Sequence, residues 1–343
     1  MKNVRQMLGR TTAWLTLAAA WTIVSGSACS RSTIPSSLSD ADFWGLIDRL
    51  SEPPGTFALS DNLVSNEPHY AERIRTLRST GGAYIGVGPE QNFSYIAALQ
   101  PAMAFVIDIR RENRNLHLLY KALFELSNDR VEFVSRLFSR PRPAGLVGTA
   151  SVASLFEQYE SAAPSQELYA KTLQEIRTRL LVTRHLPLSA TDLADIDRAL
   201  GAFYRNGPEI HFWGSRTEDV TPISYRLLMT ATDMYGRNRS YLAGEGAFTT
   251  VKALHTRNMI LPVIGDFGGS FAIRAVGDYL RQHGEKVEAF YASNVAVYLT
   301  NQQKGVFCGN LADLPAAPRA AYIENNSVRS LSSVLDACGR TAR

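Results

Sequence analysis

The sequence has few of the residues that build metal centres or redox-active thiol pairs. Its 343 residues include three cysteines and six scattered histidines, with no CxxC pair, no HExxH motif and no zinc-like spacing. Zinc and dithiol sites need such ligands at short, regular intervals. We therefore expect no metal site.

Net charge is small as well. The formal charge is +4, and three of the positive charges belong to Lys2, Arg5 and Arg10, in an N-terminal segment without acidic residues. The rest of the chain therefore stands at +1. Nucleic-acid binding relies on a clearly basic surface, so the composition gives no electrostatic case for a nucleic-acid partner.

Long apolar runs are missing from the sequence after its first segment. The run Ala13–Val24 is too short to span a bilayer comfortably, which takes roughly 20 residues. It lies between the three basic residues and the small residues Ser25–Ala28. This order predicts a secretory signal peptide over residues 1–28, and a cytosolic protein with an apolar N-terminal helix is the alternative.

Cys29 directly follows the small residues, where bacterial lipoproteins carry their lipidated cysteine. Gly26 stands where such sites usually carry Leu, so cleavage without lipidation is the alternative. A lipid anchor holds a soluble domain at a membrane surface without spanning it. We then expect the polar stretch 29–39 to be a tether between the anchor and the domain. We expect an exported protein of the cell envelope with the membrane as a partner through Cys29.

The other two cysteines, Cys308 and Cys338, form an even pair once Cys29 is set aside. Disulfides are stable in the oxidising compartments outside the cytosol. The pattern favours a disulfide between them, and two buried free thiols are the alternative.

What the sequence does contain is a strand–turn–helix–strand unit over Ala83–Asn113. The apolar run Ala83–Val87 leads into a Gly-rich turn, and a second apolar run, Met103–Ile107, ends at Asp108. Asp108 lies 20 positions after Gly88. This arrangement is typical of the first βαβ unit of a nucleotide-binding sheet.

Later segments repeat the strand–helix order. Strand patterns return at Met259–Gly265 and Lys286–Tyr291, and a helical pattern runs from about Ser270 to His283. The stretch from about 151 to 235 is mostly helical. We predict an α/β protein with a doubly wound, Rossmann-like sheet and a helical insertion, in one domain over residues 40–343.

The Gly-rich turn departs from both common nucleotide-binding patterns. Gly86 and Gly88 allow close approach of a ligand to backbone N–H groups at a helix start. The dinucleotide pattern has a third glycine where Gln91 stands, and the methyltransferase pattern differs at Tyr84 and Glu90. The alternative is that the two glycines only close a strand–helix turn.

Glu90 favours one ligand class over the other. A carboxylate beside the helix start repels a pyrophosphate, at a cost on the order of 1 kcal/mol or more. A ligand with a positive ammonium or sulfonium group escapes this cost. If the cleft binds a nucleotide-like cofactor, S-adenosylmethionine therefore fits better than NAD.

Three further residues complete the predicted cofactor site. Asp108 is expected to bind ribose hydroxyls, or else to pair with Arg110 or Arg111 on the surface. Asn92 and Asp266 are expected near the transferred group, with a turn role as the alternative for Asp266.

A hydrolase is a weaker hypothesis. Gly268–Ala272 partly matches a nucleophile elbow, G-x-S-x-G, with Ala at its last place. However, Ser270 lies about five residues beyond the predicted strand, and His283 is the one histidine that follows it.

Several segments together resemble a family of uncharacterised bacterial exported proteins, some of them lipoproteins, with a methyltransferase-like Rossmann domain. They are SDNLVSNE (Ser60–Glu67), YIGVGPEQNFSYIAALQPAMAFVIDIRREN, LHLLYKALFELS (Leu116–Ser127), SRLFSRPRP (Ser135–Pro143), RSYLA (Arg239–Ala243), LPVIGDFGGSFAIRAVGDYLR and FYASNVAVYL. The resemblance implies a fold similar to that of S-adenosylmethionine-dependent methyltransferases. It implies no established activity.

Two functions remain open. The first is a non-catalytic binding or surface protein with an unknown small-molecule or protein ligand, because a fold does not fix a function. The alternative is an S-adenosylmethionine-dependent methyltransferase that works mainly by positioning its substrates. The signal peptide argues against the enzyme, since the cofactor is made in the cytosol.

Overall fold

The protein is described by a computed structural model, which covers residues 32–57, 62–78, 81–212 and 223–341. Within these ranges six strands form one sheet in the order β3–β2–β1–β4–β5–β6. The strands are β1 (Ala83–Gly86), β2 (Met103–Asp108), β3 (Ile260–Ile264), β4 (Val287–Ser293), β5 (Ala316–Glu324) and β6 (Val328–Ser330). All neighbours are parallel except β5 and β6, which are antiparallel. The α/β class is confirmed, and the mostly parallel sheet is consistent with a Rossmann-like fold.

Helices connect the strands and precede them. They are α1 (Asp40–Leu50), α2 (Tyr70–Thr76), α3 (Gln91–Leu99), α4 (Arg111–Leu126), α5 (Arg130–Phe138), α6 (Val152–Ser161), α7 (Gln166–Arg177), α8 (Ala190–Asn206), α9 (Tyr225–Thr230), α10 (Glu245–Thr256), α11 (Ala272–Gln282), α12 (Val295–Tyr298), α13 (Asn301–Ala312) and α14 (Leu331–Thr341). A π-helical turn, Thr178–Thr183, extends α7, and a 3₁₀ turn, Gly207–Glu209, follows α8.

The central strands are apolar along their whole length because helices cover both faces of the sheet. Every residue of β1, β2 and β3 is buried. α10 contacts α3 and α4 in one group of helices, while α11 contacts α1 and α13 in a second group. Parallel strands that are buried on both faces have continuous apolar sequences, and this pattern predicted the positions of these strands. Pro262 is tolerated in β3 because this edge strand pairs with β2 alone.

The described helices of the block between residues 151 and 235 pack on α4 and α5 through α7 and α8. Asn115 of α4 donates hydrogen bonds to Asp192 and Asp195 of α8, each at 3.0 Å. Ser189 caps α8 through a reciprocal bond with Asp192. The block therefore thickens one face of the sheet, and Phe212 is its one described residue at the cleft considered below.

Residues 32–39, which belong to the predicted polar tether, are hydrogen-bonded to the domain. The Thr33 N–H donates to the His283 carbonyl at 2.8 Å, and the Leu38 N–H donates to the Arg257 carbonyl at 3.0 Å. Ile34 and Leu38 also pack against the core. This stretch lies along the domain, because it has apolar side chains that the core can cover. Ser39 then caps α1 by accepting a hydrogen bond from the Asp42 N–H.

The last strands and helices were not predicted from the sequence. β5 contains a bulge, because Val287 of β4 pairs with Ala316 of β5 while Ala289 pairs with Ala321. Beyond them, Cys308 of α13 and Cys338 of α14 are joined by a disulfide with a Cα–Cα distance of 5.8 Å. The bond links the final helix to the rest of the domain.

Candidate functional site

The carboxyl ends of the parallel strands surround a cleft of about 250 Å³. It lies where the strand order reverses, between β1 and β4. Open α/β sheets bind ligands at this point. Small-molecule pockets typically enclose about 300–1,000 Å³, so this cleft suits a small ligand or part of a larger one. Residues from the ends of all four adjoining strands line it: Gly88, Asp108, Arg110, Asp266 and Ser293.

The Gly-rich turn after β1 has two glycines with different roles. Gly88 lines the cleft and has φ +77°, a conformation that favours glycine. Gly86 lies elsewhere: a Cβ there would come within 2.0 Å of Asn92 Oδ1. The Asn92 amide donates to the carbonyls of Val87, Gly88 and Pro89. Asn92 therefore stabilises the turn from the side away from the cleft. The lack of a Cβ at Gly86 leaves space for the Asn92 side chain.

Glu90 lies beneath the turn and not in the cleft, contrary to the expectation of a cofactor contact. Its side chain is fully buried and accepts a hydrogen bond from the Ser65 N–H at 3.1 Å. Burial raises the pKa of the Glu90 carboxyl to about 8. At neutral pH this carboxyl is mostly protonated, so it does not supply the predicted repulsion of a pyrophosphate.

His117 of α4 supports the same turn. Its Nε2 lies 2.9 Å from the Gly88 carbonyl oxygen, and the side chain is buried. Burial lowers the pKa of the imidazole to about 4. The ring is therefore neutral at pH 7, with Nε2–H as the donor to the carbonyl.

Asp108 forms a buried ion pair with Arg110 at the end of β2. The guanidinium donates Nε to Oδ1 at 2.9 Å and Nη2 to Oδ2 at 2.8 Å, and the Arg110 N–H also donates to Oδ1. Burial lowers the pKa of the guanidinium, but the adjacent carboxylate more than offsets this and raises it. The alternative partner predicted from the sequence is thus present, and the pair is in the cleft wall and not on the surface.

Asp266 brings a second carboxylate to the cleft, from the turn after β3. Its Oδ1 accepts a hydrogen bond from the Gly268 N–H at 2.8 Å. Its backbone N–H donates to Glu52, which lies just after α1. Burial raises the pKa of Glu52, and the neighbouring Asp266 carboxylate adds to that rise. Asp266 therefore has the turn role given as its alternative, and it also lines the cleft.

The end of β4 provides a cleft residue that the sequence analysis missed. Ser293 has φ +51°, an uncommon conformation for a non-glycine residue, and its hydroxyl donates to the buried Glu67 carboxylate. Glu67 also pairs with Arg73 at 2.6 Å. Burial raises the pKa of Glu67, and Arg73 opposes this rise. A buried charge pair therefore fixes Ser293 in the floor of the cleft.

Aromatic side chains form the rest of the wall. Phe57 and Tyr298 meet edge to face with ring centroids 4.9 Å apart. Tyr298 is half exposed, at 50%. Phe267 and Tyr291 also line the cleft, and both are buried. Such rings provide flat apolar surface beside the polar groups, as small-molecule sites usually do.

The structure brings three of the six predicted site residues together in the cleft: Gly88, Asp108 and Asp266. Gly86, Glu90 and Asn92 lie outside its lining and shape the turn from behind. The sequence did carry a signal for Ser293, because polar residues follow an apolar strand there. Ser270 and His283 stand at opposite ends of α11, so they cannot act together in a hydrolase.

Three other expectations concern features outside the cleft. Cys29 and the predicted signal peptide lie outside the described residues. None of the described helices is both long and apolar enough to cross a bilayer. Within the described ranges, no three His, Cys, Asp or Glu side chains are grouped as a metal site.

Fold and cleft together define an α/β protein with a candidate ligand site at the switch point of a mostly parallel sheet. The chain belongs to the family described as a domain of unknown function, DUF7790, whose model matches residues 62–334. The match includes all six strands and every described cleft residue except Thr56 and Phe57. A search of curated proteins gives no match. The family description carries no activity.

Proposed function

We propose that the cleft binds a small molecule that carries hydroxyl or amino groups and no phosphate. The observation that carries this proposal is the composition of the cleft wall. Two carboxylates, Asp108 and Asp266, face it, whereas Arg110 is the one cationic side chain among its described lining residues. Because Asp108 already neutralises Arg110, the wall has a negative balance.

Hydrogen-bonding capacity supports the same ligand class. The described lining includes a series of uncharged amides and hydroxyls: Thr56, Asn62, Ser65, Asn66, Ser293, Asn294 and Gln303. Carboxylate and amide oxygens accept hydrogen bonds from hydroxyl and amino groups. The aromatic wall of Phe57 and Tyr298 can hold an apolar or planar part of the ligand. We name no catalytic residue, and the protein is proposed as a binding protein.

Calorimetry with adenosine and adenosine monophosphate tests this ligand class, because the two probes differ only in the phosphate. The proposal expects adenosine to bind the leaderless protein and the monophosphate to bind about tenfold more weakly. Asp266→Asn should weaken adenosine binding by about tenfold, since a charged acceptor is lost. Asp278→Asn, on the exposed side of α11, is the matched control. Equal affinities for the two probes, or no heat from adenosine at millimolar concentration, contradict the proposal.

We propose a location as well: export, removal of residues 1–28 and a lipid anchor on Cys29. The supporting pattern is the basic, apolar and small-residue order that precedes Cys29. Globomycin, which blocks lipoprotein signal peptidase, should leave the precursor unprocessed in bacterial cells. Cys29→Ser should also stop lipidation. If the precursor is still cleaved in the presence of globomycin and in the Cys29→Ser variant, the leader is removed by ordinary cleavage without lipidation.

S-adenosylmethionine-dependent methyl transfer is the second candidate. The observation in its favour is the pairing of a Gly88 turn after β1 with Asp108 at the end of β2, the usual ribose-binding position. A positive sulfonium also suits the negative wall. Against it, both oxygens of Asp108 are held by Arg110. Calorimetry with S-adenosylhomocysteine distinguishes the candidates, because affinity far above that for adenosine favours the enzyme.

A further inference from the structure

The first described residues lie at the end of the sheet opposite the cleft. Ser32 Oγ donates to Glu285 at 2.8 Å, and the Thr33 N–H donates to the His283 carbonyl. Both partners immediately precede β4. The cleft lies at the carboxyl end of the same strand, which is seven residues long. Those seven residues separate the two ends by about 20 Å.

The chain stays at this end of the sheet as far as Leu38. The Leu38 N–H and the Ser36 carbonyl bind Arg257, which ends α10 just before β3. Asn258 donates its side-chain amide to the Leu38 carbonyl at 2.9 Å. Residues 33–38 therefore cross from the start of β4 to the start of β3 and are bonded at both ends.

Very little chain is left between this bonded stretch and the proposed anchor. Only Ser30 and Arg31 separate Cys29 from Ser32. Three extended steps of backbone reach about 10 Å at most. A free spacer of eleven residues, 29–39, would let the domain turn in any direction, but a spacer of this shorter length does not.

We propose that the amino ends of the strands face the membrane and that the cleft opens away from it. This orientation rests on the lipid anchor proposed above. We define the amino-end face by four exposed residues that precede the strands or end α11: Ala102, Arg257, Gln282 and Lys286. Its partner is the anionic lipid surface that holds Cys29. Arg257 and Lys286 suit such a surface, because neither is in a described salt bridge and anionic lipids attract basic side chains.

The orientation also explains how an anchored protein keeps its cleft available. The exposed residues Val297 and Tyr298 lie just after β4, at the cleft end. On the proposed arrangement they point to the surrounding solution, where a ligand would arrive. An orientation with the cleft toward the lipid would block its mouth.

Fluorescence quenching by lipids tests the orientation on the full, lipidated chain. Ala102→Cys and Val297→Cys variants are labelled with a small fluorophore and placed in phosphatidylethanolamine–phosphatidylglycerol vesicles that contain headgroup nitroxide lipid. The Cys308–Cys338 disulfide and acylated Cys29 do not react with the label. The label at residue 102 is expected to be quenched several-fold more strongly than the label at residue 297.

A linker variant is the control. Insertion of about 20 Gly/Ser residues between Arg31 and Ser32 frees the domain, so the difference between the two labels should largely disappear. Protein that floats with the vesicles but shows equal or reversed quenching overturns the orientation alone. Protein that stays in solution with Cys29 intact, as Cys29→Ser does, overturns the anchor and the orientation together.

Discussion

Asp108 and Arg110 meet in the cleft wall through two parallel hydrogen bonds, of 2.9 and 2.8 Å, although only one residue separates them in the chain. Both side chains are almost fully buried. A carboxylate at the end of β2 is thus already neutralised before any ligand arrives. The pair keeps the wall rigid, and it leaves Asp266 as the carboxylate that can respond to a ligand.

Asp108→Asn should destabilise the domain by about 3–5 kcal/mol, because it leaves the Arg110 guanidinium buried without its counter-charge. Urea unfolding measures the loss. The matched control is Asp278→Asn, which removes a partner of Arg281 on the exposed side of α11 and should cost no more than about 1 kcal/mol. Equal losses at the two sites would show that the cleft pair is not desolvated.

Glu90→Gln should change how stability depends on pH. The folded-state pKa of about 8 lies above the unfolded value near 4.5. The contribution of the protonated Glu90 carboxyl to the stability of the domain is therefore fully present below pH 4.5 and is lost as pH rises toward 8. The free energy of unfolding of the variant, relative to that of the wild type, should therefore rise by about 1.4 kcal/mol per pH unit between those values. Unfolding at pH 5 and pH 8.5 measures the gain, with Glu157→Gln on the exposed side of α6 as control. A gain that is the same at both pH values would place Glu90 in solvent.

The two glycines of the turn should respond differently to alanine. Gly86→Ala places a Cβ 2.0 Å from Asn92 Oδ1 and 2.6 Å from the Tyr84 hydroxyl oxygen, so it should lower the free energy of unfolding by at least about 1–3 kcal/mol. Gly88→Ala meets no atom within 4 Å, and its positive φ alone should cost about 1–2 kcal/mol. Combining Gly86→Ala with Asn92→Ala should recover part of the Gly86→Ala loss. If the double variant is no better than the sum of the two single losses, the contact with Asn92 is not the cause.

Loss of the disulfide should weaken the domain without changing the cleft. Cys308→Ser with Cys338→Ser opens a loop with a sequence separation of 30 residues, which in the chain-entropy account costs about 3–4 kcal/mol. Chemical unfolding with and without reductant measures the loss in the wild type. The double variant should be insensitive to reductant. If Cys308 and Cys338 both react with a thiol reagent in the unreduced, unfolded wild type, the disulfide does not form.

The sequence located the central sheet because of one physical property. Strands β1, β2 and β3 are buried on both faces, so they appear as short apolar runs between turn residues. β5 lacks that signal: Pro318 and Arg319 interrupt it, and both are exposed. The bulge they occupy depends on pairing with β4, which no local pattern reveals.

The cleft was predictable only in part, for a related reason. The sequence predicted Gly88, Asp108 and Asp266 as site residues because they follow β1, β2 and β3, and the carboxyl ends of parallel strands lie at one edge of the sheet. Whether Glu90 faces the cleft or the core depends on how α3 is rotated, and the Tyr84–Asn92 hydrogen bond at 2.9 Å helps to fix it. That contact is tertiary, so spacing alone assigned Glu90 to the wrong side.

The most direct test of the central claim is a crystal structure of the mature domain soaked with millimolar adenosine. The account predicts that adenosine lies in the cleft between Gly88 and Ser293, with a hydroxyl or amino group on Asp266. Adenosine bound in another part of the molecule, or an empty cleft in crystals whose cleft is open to solvent, would contradict it.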